Sequence, residues 1–204
     1  NDSESQGTYW VNMPDFASSV NSVQIQRGVG TSTNGAGAFG GSVNMQTNTF
    51  EEKAYADLNA SGGSFGTLKT TLKVGTGLMN GKFTVDGRLS QIVSDGYIDR
   101  ASSDLKSYFM TGAYYGKTSL LRLNVFSGQE KTYQAWNGIS EEQLTIDRRH
   151  NDFTYDNQTD NYQQDHYQLF YTRNLGSQLI ANAALHYTYG RGYYEEFRAN
   201  SKLA

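Results

Sequence analysis

The sequence of 204 residues contains no cysteine, a single proline and no long apolar run. The absence of cysteine excludes disulfide frameworks and cysteine-ligated metal sites. Without about 18 consecutive apolar residues the chain cannot form a membrane-spanning helix. A membrane β-barrel is still possible, because its strands expose only alternate side chains to lipid. The formal net charge of -3 lacks the basic footprint of nucleic-acid-binding proteins. We therefore expect no nucleic-acid partner.

Aromatic residues and glycine are abundant instead. Aromatics make up 13% of the chain, with 15 tyrosines, and there are 22 glycines, while the hydrophobic fraction is only 37%. The mean hydropathy of -0.64 would indicate disorder in a chain poor in aromatics. Aromatic side chains favour strands, so this composition indicates a folded β protein with many turns.

The stretch GAGAFG at residues 35–40 matches the glycine fingerprint of dinucleotide-binding proteins. That fingerprint works only between a buried strand and a helix, where the pyrophosphate binds the helix N-terminus. Residues 31–34 are too polar and too few for a central strand, and residues 41–47 alternate apolar and polar side chains as a strand does. The sequence therefore predicts a strand after the glycines and no nucleotide site.

Beyond residue 52 the chain alternates apolar and polar side chains in seven segments. In one of them Leu121, Leu123 and Val125 face away from Arg122 and Asn124. Each segment has about the 9 to 11 residues that a tilted strand needs to cross a bilayer. The predicted strands are 53–62, 67–78, 82–93, 105–116, 119–127, 165–173 and 178–190.

The connections between these strands alternate in length. Those at 79–81, 116–118 and 174–177 are short, and Asn80-Gly81 is a strong hairpin signal. Of the others, 63–66 is brief, 94–104 is longer and 129–164 is the longest. Outer-membrane barrels have short periplasmic turns and longer outer loops, so the long loop is expected outside. Bacterial barrels have even strand numbers, so seven strands are expected to be part of a larger barrel.

Residues 24–47, directly ahead of the first predicted strand, resemble the end of the plug domain of TonB-dependent outer-membrane transporters. Val29 departs from the proline, and Asn34 from the tyrosine, that are usual in this motif. Residues 10–16 resemble the plug segment that leads into it. Glycines there allow tight turns and close approach to the barrel wall. The matching residues are Gln24, Arg27, Gly28, Gly30, Gly35, Gly37, Ala38, Gly40, Gly41, Val43, Asn44, Met45 and Thr47.

The resemblance implies an all-β fold in two parts. Residues 1–50 would form the C-terminal part of a plug domain, and residues 51–204 the N-terminal strands of a transmembrane antiparallel β-barrel of some 22 strands. It also implies an active transport receptor in the outer membrane of a Gram-negative bacterium. Its partners would be membrane lipid, a small nutrient ligand, and the TonB complex through a segment outside this sequence. A surface lipoprotein is a further candidate partner.

The nutrient is left open by the sequence. The glycan-importing subfamily usually has a different glycine signature, which favours an iron chelate such as a ferric siderophore over haem, cobalamin or an oligosaccharide. Two rival classes are an outer-membrane barrel enzyme and a soluble glycan-binding β protein. An enzyme would need convergent catalytic side chains, and no such spacing stands out in the sequence. The chain is therefore expected to bind and transport, with no catalytic residue, metal or cofactor.

Three residues of the long loop are the candidate ligand contacts. Tyr133, Trp136 and Asn137 combine aromatic and amide groups, as ligand-binding surfaces often do. Residues 147–152 could ligate a metal or catalyse hydrolysis, but a charged loop tip is more often only solvated. His166 and His186 are expected to face a wet lumen.

Two further predictions concern the plug and the outer rim. Arg27 of the plug motif is expected to pair with Asp57 or Asp86 on the inner face of the barrel wall. Four tyrosines near an outer strand end suggest either an aromatic girdle at the membrane interface or the lining of a pocket. They are Tyr187, Tyr189, Tyr193 and Tyr194.

Overall fold

The computed structural model describes residues 9–29, 39–47 and 50–198. Two 3-10 turns come first, followed by a hairpin and seven further strands. No helix in the described residues is both long and apolar enough to cross a membrane. The turns are Trp10–Asn12 and Phe16–Ser19, and the elements are β1 (Ser22–Arg27), β2 (Gly41–Gln46), β3 (Tyr55–Gly62), β4 (Leu68–Gly75), β5 (Phe83–Ser94), β6 (Ser103–Tyr115), β7 (Ser119–Tyr133), α1 (Glu141–Ile146), β8 (Thr159–Asn174) and β9 (Ile180–Tyr194).

The seven strands β3 to β9 form one antiparallel sheet in which each strand pairs with the next in sequence. The predicted all-β class, strand number and order are therefore confirmed. The strand β2 also confirms the expectation that residues 41–47 are extended. Among the strands of the described residues it pairs only with β1, in a separate two-stranded sheet.

The predicted bounds of β7 and β8 are wrong. β7 continues to Tyr133 rather than ending at residue 127, and β8 begins at Thr159 rather than at residue 165. Beyond Val125 the outward positions of β7 become Ser127, Gln129 and Lys131, so the apolar signal stops while the strand continues. The long loop is consequently residues 134–158, and Tyr133 belongs to β7.

The two faces of the sheet have the opposite polarity to those of a soluble protein: the buried inner face is polar and the exposed outer face is apolar. On its inner face the polar side chains Arg88 and Asn124 are each only 4% exposed. On its outer face Leu89 and Leu123 are 60% and 48% exposed. The outward-facing side chains form an apolar band, which comprises Leu58, Leu68, Leu72, Val74, Phe83, Val85, Leu89, Met110, Tyr114, Leu121, Leu123, Tyr167, Leu169, Tyr171, Leu185 and Tyr187.

The apolar band crosses the strands obliquely. Leu72 on β4 is in register with Leu89 on β5 and, through it, with Tyr108 on β6. The same row becomes polar at Ser127 on β7 and Asp165 on β8. The band therefore shifts along the strands from one strand to the next, as it must where strands tilt relative to the axis of a barrel.

Short turns and long loops lie at opposite ends of the sheet. Asn80 and Gly81 have φ of 49° and 64°, which is the left-handed pair that a type I′ hairpin turn requires. In the turn at 116–118 the Gly116 N–H donates to the Ser119 carbonyl at 2.8 Å. The loops at 63–67, 95–102 and 134–158 all lie at the other end. The predicted separation of turns from loops is confirmed.

Candidate functional site

Residues 10–19, here called the docking segment, lie against the inner face of the sheet. Phe16 is the apolar contact, because its ring centroid lies 6.3 Å from that of Phe109 and 5.2 Å from that of Phe126. Those two wall rings are cross-strand partners on β6 and β7 and stack on each other at 5.6 Å. The plug resemblance of residues 10–16 thus coincides with a segment packed on the barrel wall.

Gly128 lets the docking segment approach the backbone of β7. A Cβ built at this glycine would lie 2.5 Å from Pro14 Cδ and still closer to the Asn12 carbonyl oxygen. Real side chains do not tolerate such contacts, so any larger residue at position 128 must displace the segment. The absence of a side chain at this position sets how closely the segment can lie.

Asp15 is the polar anchor of the docking segment. Its Oδ1 accepts from Lys69 Nζ at 2.5 Å and from Ser18 Oγ at 2.6 Å. Its Oδ2 accepts from Ser90 Oγ at 2.5 Å, Thr71 Oγ1 at 3.1 Å and Arg88 Nη1 at 3.4 Å. Five donors from three elements therefore converge on one buried carboxylate.

Arg88 joins the docking segment to two strands. Its Nε donates to Ser19 Oγ at 2.6 Å, and its Nη1 donates to Ser107 Oγ on β6 at 3.2 Å. The side chains of Arg88 and Asp15 are each only 4% exposed, so this ion pair is removed from water. We refer to Asp15, Lys69, Thr71, Arg88 and Ser90 together as the Asp15 clamp.

The pKa of Asp15 is lower than its ordinary value despite burial. Burial alone raises the pKa, because it disfavours the charged form. Hydrogen bonds from Lys69, Ser18 and Ser90, together with the charge of Lys69, outweigh that effect and lower it. The carboxylate is therefore ionised whenever the segment is docked at neutral pH.

The predicted pairing of Arg27 with Asp57 or Asp86 is wrong. Arg27 is exposed at the end of β1 and forms no ion pair within the described residues. Asp86 instead accepts from Tyr55 Oη at 3.0 Å. The signal for the actual anchor was present in the sequence, since Asp15 lies in the plug-like stretch and the inner faces of β4 and β5 carry Lys69 and Arg88.

The plug motif itself is only partly described. Gly28 has φ of 75°, the left-handed backbone that favours glycine. Arg27, Gly40 and Gly41 also lie in the described part, at the two strand ends where β1 pairs with β2. Gly30, Gly35 and Gly37 lie outside the described residues.

The three candidate ligand residues occupy different environments. Tyr133 is only 9% exposed and donates its hydroxyl to the Tyr155 carbonyl at 2.7 Å. Trp136 is 57% exposed, and Asn137 is exposed beside it. Tyr133 therefore supports the loop from within, whereas Trp136 and Asn137 are open to solvent.

Trp136 belongs to an aromatic corner in which Trp136 and Tyr194 are exposed and Phe153 is buried. Its ring meets Phe153 edge-on at 6.4 Å and Tyr194 at 5.8 Å. Tyr194 lies at the end of β9 on the face opposite Tyr193, because neighbouring strand residues alternate. Tyr187, Tyr189 and Tyr193 face outward, the side that the girdle interpretation requires, whereas Tyr194 lines the corner.

Buried amides shape the long loop. Gln134 is fully buried and donates through Nε2 to the Glu195 carbonyl at 2.8 Å. Asn151 Nδ2 donates to the carbonyls of Asp99, at 2.8 Å, and Gln134, at 3.0 Å. Asn151 therefore links the long loop to the 95–102 loop and to its own first residue, Gln134.

Two arginines complete the connection between the loops. Arg149 Nη2 pairs with Asp99 Oδ1 at 3.1 Å, and its Nε donates to the Tyr97 carbonyl at 3.0 Å. Arg100 pairs with Asp156 at 3.1 Å and donates to the Thr154 carbonyl at 2.6 Å. The 95–102 loop and the long loop thus form one structured outer cap.

The other polar candidates have local partners. His150 lies 3.0 Å from Asp152 Oδ1 on the exposed loop. Within the described residues no group of three or more His, Asp or Glu could hold a metal ion. His166 and His186 face the lumen as predicted, and their parallel rings lie 5.9 Å apart.

Comparison with known proteins supports the fold. No protein-family model matches the sequence, and no curated protein matches it. Among solved structures, the ferric-catecholate import receptor Fiu from E. coli K12, in its open form, matches with a TM-score of 0.72 at 16% identity. The match covers 86% of this chain and 29% of that receptor. At this identity the likeness shows the fold, which is that of part of a receptor barrel.

Proposed function

We propose that this chain is part of an outer-membrane receptor that binds an iron chelate and imports it. The observation that carries the proposal is the reversed polarity of the sheet, whose exposed apolar band suits lipid while its polar face is covered in part by the docking segment. A soluble β-sandwich would bury its apolar face instead. The likeness to the Fiu receptor barrel supports the same assignment.

The ligand site in this part of the receptor is the aromatic corner of the outer cap. The exposed rings of Trp136 and Tyr194, with the buried Phe153 packed against Trp136, suit a chelate with planar aromatic groups. Asn137 adds an exposed amide next to Trp136. The Fiu receptor imports ferric catecholates, whose aromatic rings have this chemistry, and we propose the same class here over haem, cobalamin or an oligosaccharide.

The Asp15 clamp gives the receptor a closed resting state. Passage of a chelate through the lumen requires the plug to leave the wall, so the bonds of the clamp must break during import. Energy for that step would come from the TonB complex. The clamp contributes by keeping the lumen closed between import events.

The test is ligand binding by the complete receptor with Trp136→Ala. Removing a central aromatic anchor commonly costs about 2 kcal/mol or more, so affinity for a ferric catecholate should fall roughly thirtyfold. Titration of the purified receptor with a ferric catecholate, monitored through the quenching of its intrinsic fluorescence, measures that change. The control is Ile146→Ala, because Ile146 is 73% exposed on the same loop but outside the aromatic corner.

Barrel assembly should survive both substitutions, since neither residue belongs to the sheet. Equal affinity of the Trp136→Ala receptor and the unmodified receptor would exclude the aromatic corner as the site. If the unmodified receptor binds haem or cobalamin but no ferric catecholate, the proposed ligand class is wrong.

A further inference from the structure

The outer face of the sheet carries a groove that the import function does not use. It encloses about 430 Å³ across β4 to β8. Its two walls differ in chemistry. One consists of Leu72, Leu89 and Tyr108, and the other of Gln91, Lys106 and Gln129.

The two walls are neighbouring rows of the strand register. Leu72, Leu89 and Tyr108 are cross-strand partners on β4, β5 and β6. Gln91, Lys106 and Gln129 form the next outward row, two residues nearer the loop end. The change from apolar to polar therefore occurs over roughly 7 Å along a strand. Such a boundary marks the level of lipid headgroups in a membrane barrel.

The charges beside the groove favour an anion. Asp104 is already satisfied, because Gln91 Nε2 donates to its Oδ1 at 2.9 Å and Lys106 Nζ lies 3.0 Å from its Oδ2. Lys106 is 53% exposed at its side chain and has three donors, of which Asp104 takes one. Outward positions on the loop side of the apolar band in the described strands carry three cations, Lys106, Lys131 and Arg191, against two carboxylates, Asp104 and Asp165.

We infer that this groove is a binding site for an anionic membrane lipid. Its phosphate contacts Lys106 and the amides of Gln91 and Gln129, while the first part of an acyl chain lies on Leu72 and Leu89. The inference rests on the proposed membrane location of the sheet. A lipid is favoured over a protein because the apolar wall of the groove is continuous with the apolar band, which lipid covers in the proposed membrane location.

The experiment is native mass spectrometry of the complete receptor, purified in neutral detergent and supplied with lipids of identical chains. The receptor should retain phosphatidylglycerol in preference to phosphatidylcholine. Lys106→Ala should lower retention of the anionic lipid about fivefold, the usual effect of one lysine near an anionic surface. The Lys106→Arg receptor should retain the anionic lipid as well as the unmodified receptor does.

Lys117→Ala is the matched control, because Lys117 is an exposed lysine in the short turn at the opposite end of the sheet. Equal retention of both lipids, or an equal loss with Lys117→Ala, would overturn the inference. So would a co-purifying protein that is lost with Lys106→Ala, because the groove would then be a protein interface. Retention requires no chelate, so a receptor that binds lipid as described but fails to bind ferric catecholate would refute only the ligand assignment.

Discussion

At the scale of single residues, Asp15 shows how a buried charge can anchor one part of the chain to another. Its carboxylate receives donors from Ser18 in its own segment and from Lys69, Thr71, Arg88 and Ser90 on two strands. Hydrogen bonds to a charged group contribute about 1.5 to 3 kcal/mol each. Loss of Asp15 would leave the Arg88 guanidinium buried without its counter-charge, which commonly costs about 3 to 5 kcal/mol.

The first residue-scale prediction concerns Gly128. Gly128→Ala should push the docking segment off β7, because the new methyl group would meet Pro14 and the Asn12 carbonyl. Overpacking of this kind typically costs about 1 to 3 kcal/mol. Hydrogen exchange of residues 12–19 in the complete receptor should therefore rise by roughly 5- to 150-fold, since each 1.4 kcal/mol is a factor of ten.

Gly112→Ala is the control for that measurement. Gly112 lies on β6 and faces outward, where an added Cβ would meet nothing within 4 Å. Its exchange pattern should match that of the unmodified receptor. Unchanged exchange with Gly128→Ala would show that the close approach at β7 does not determine docking.

The second residue-scale prediction is a pH dependence of docking. Because the pKa of Asp15 is lowered in the docked state, its contribution is complete above the ordinary carboxyl pKa of about 3.9. That contribution is lost as the pH falls through the depressed value. Protection of the docking segment, taken as its exchange relative to the intrinsic rate at the same pH, should fall below about pH 4, and Asp15→Asn should remove this acid-induced step. Asp156→Asn, at an exposed loop carboxylate, should leave the step in place.

At the scale of elements, the outer cap joins two loops that are separated in sequence. Arg149 contacts Asp99 and the Tyr97 carbonyl, and Asn151 contacts the Asp99 carbonyl. An exposed ion pair alone contributes little, about 0 to 1 kcal/mol. Hydrogen bonds to backbone carbonyls fix the position of one loop relative to the other, so the two loops should be ordered together.

Arg149→Ala should loosen both loops rather than one. We expect hydrogen exchange to rise about two- to fivefold in residues 95–102 as well as in residues 145–155, because Arg149 belongs to the long loop and its side chain bonds to Asp99 and Tyr97 of the other loop. Arg148→Ala is the neighbouring control, since Arg148 is exposed on the same loop. A rise confined to residues 145–155 would mean that the loops are ordered independently.

The same elements show what could be predicted from the sequence. Alternation predicted the seven strands and their faces, because outward side chains are apolar and inward side chains polar where the band lies. It failed beyond Val125, where outward residues become polar and a strand no longer differs from a loop in composition. Asn80-Gly81 predicted its turn through local chemistry alone.

The contacts between distant parts of the chain could not be predicted in this way. Asp15 and Arg88 are 73 residues apart, and either could have been a solvated charge until the fold placed them together. Arg27 looked equally suited to the wall and lies exposed instead. The three-dimensional fold decides which partner a charged side chain has. The periodicity of the sequence carries no information about that choice.

At the scale of the whole molecule, the two faces and the two ends of one sheet differ in chemistry. The apolar band faces outward, the Asp15 clamp faces inward, the short turns lie at one end and the outer cap at the other. This arrangement has a direction, because only the end with the cap carries the exposed aromatic corner. For the proposed import, the cap must therefore face the medium and the turns must face the periplasm.

Cysteine labelling of intact cells tests that requirement most directly, and this sequence has no cysteine that would interfere. The complete receptor would carry either Asn137→Cys or Asn80→Cys and be exposed to a membrane-impermeant maleimide. Asn137→Cys should label in intact cells, whereas Asn80→Cys should label only after the outer membrane is permeabilised. Labelling of Asn80→Cys but not Asn137→Cys in intact cells would contradict the orientation. Recovery of the receptor in the soluble fraction would contradict its place in the membrane.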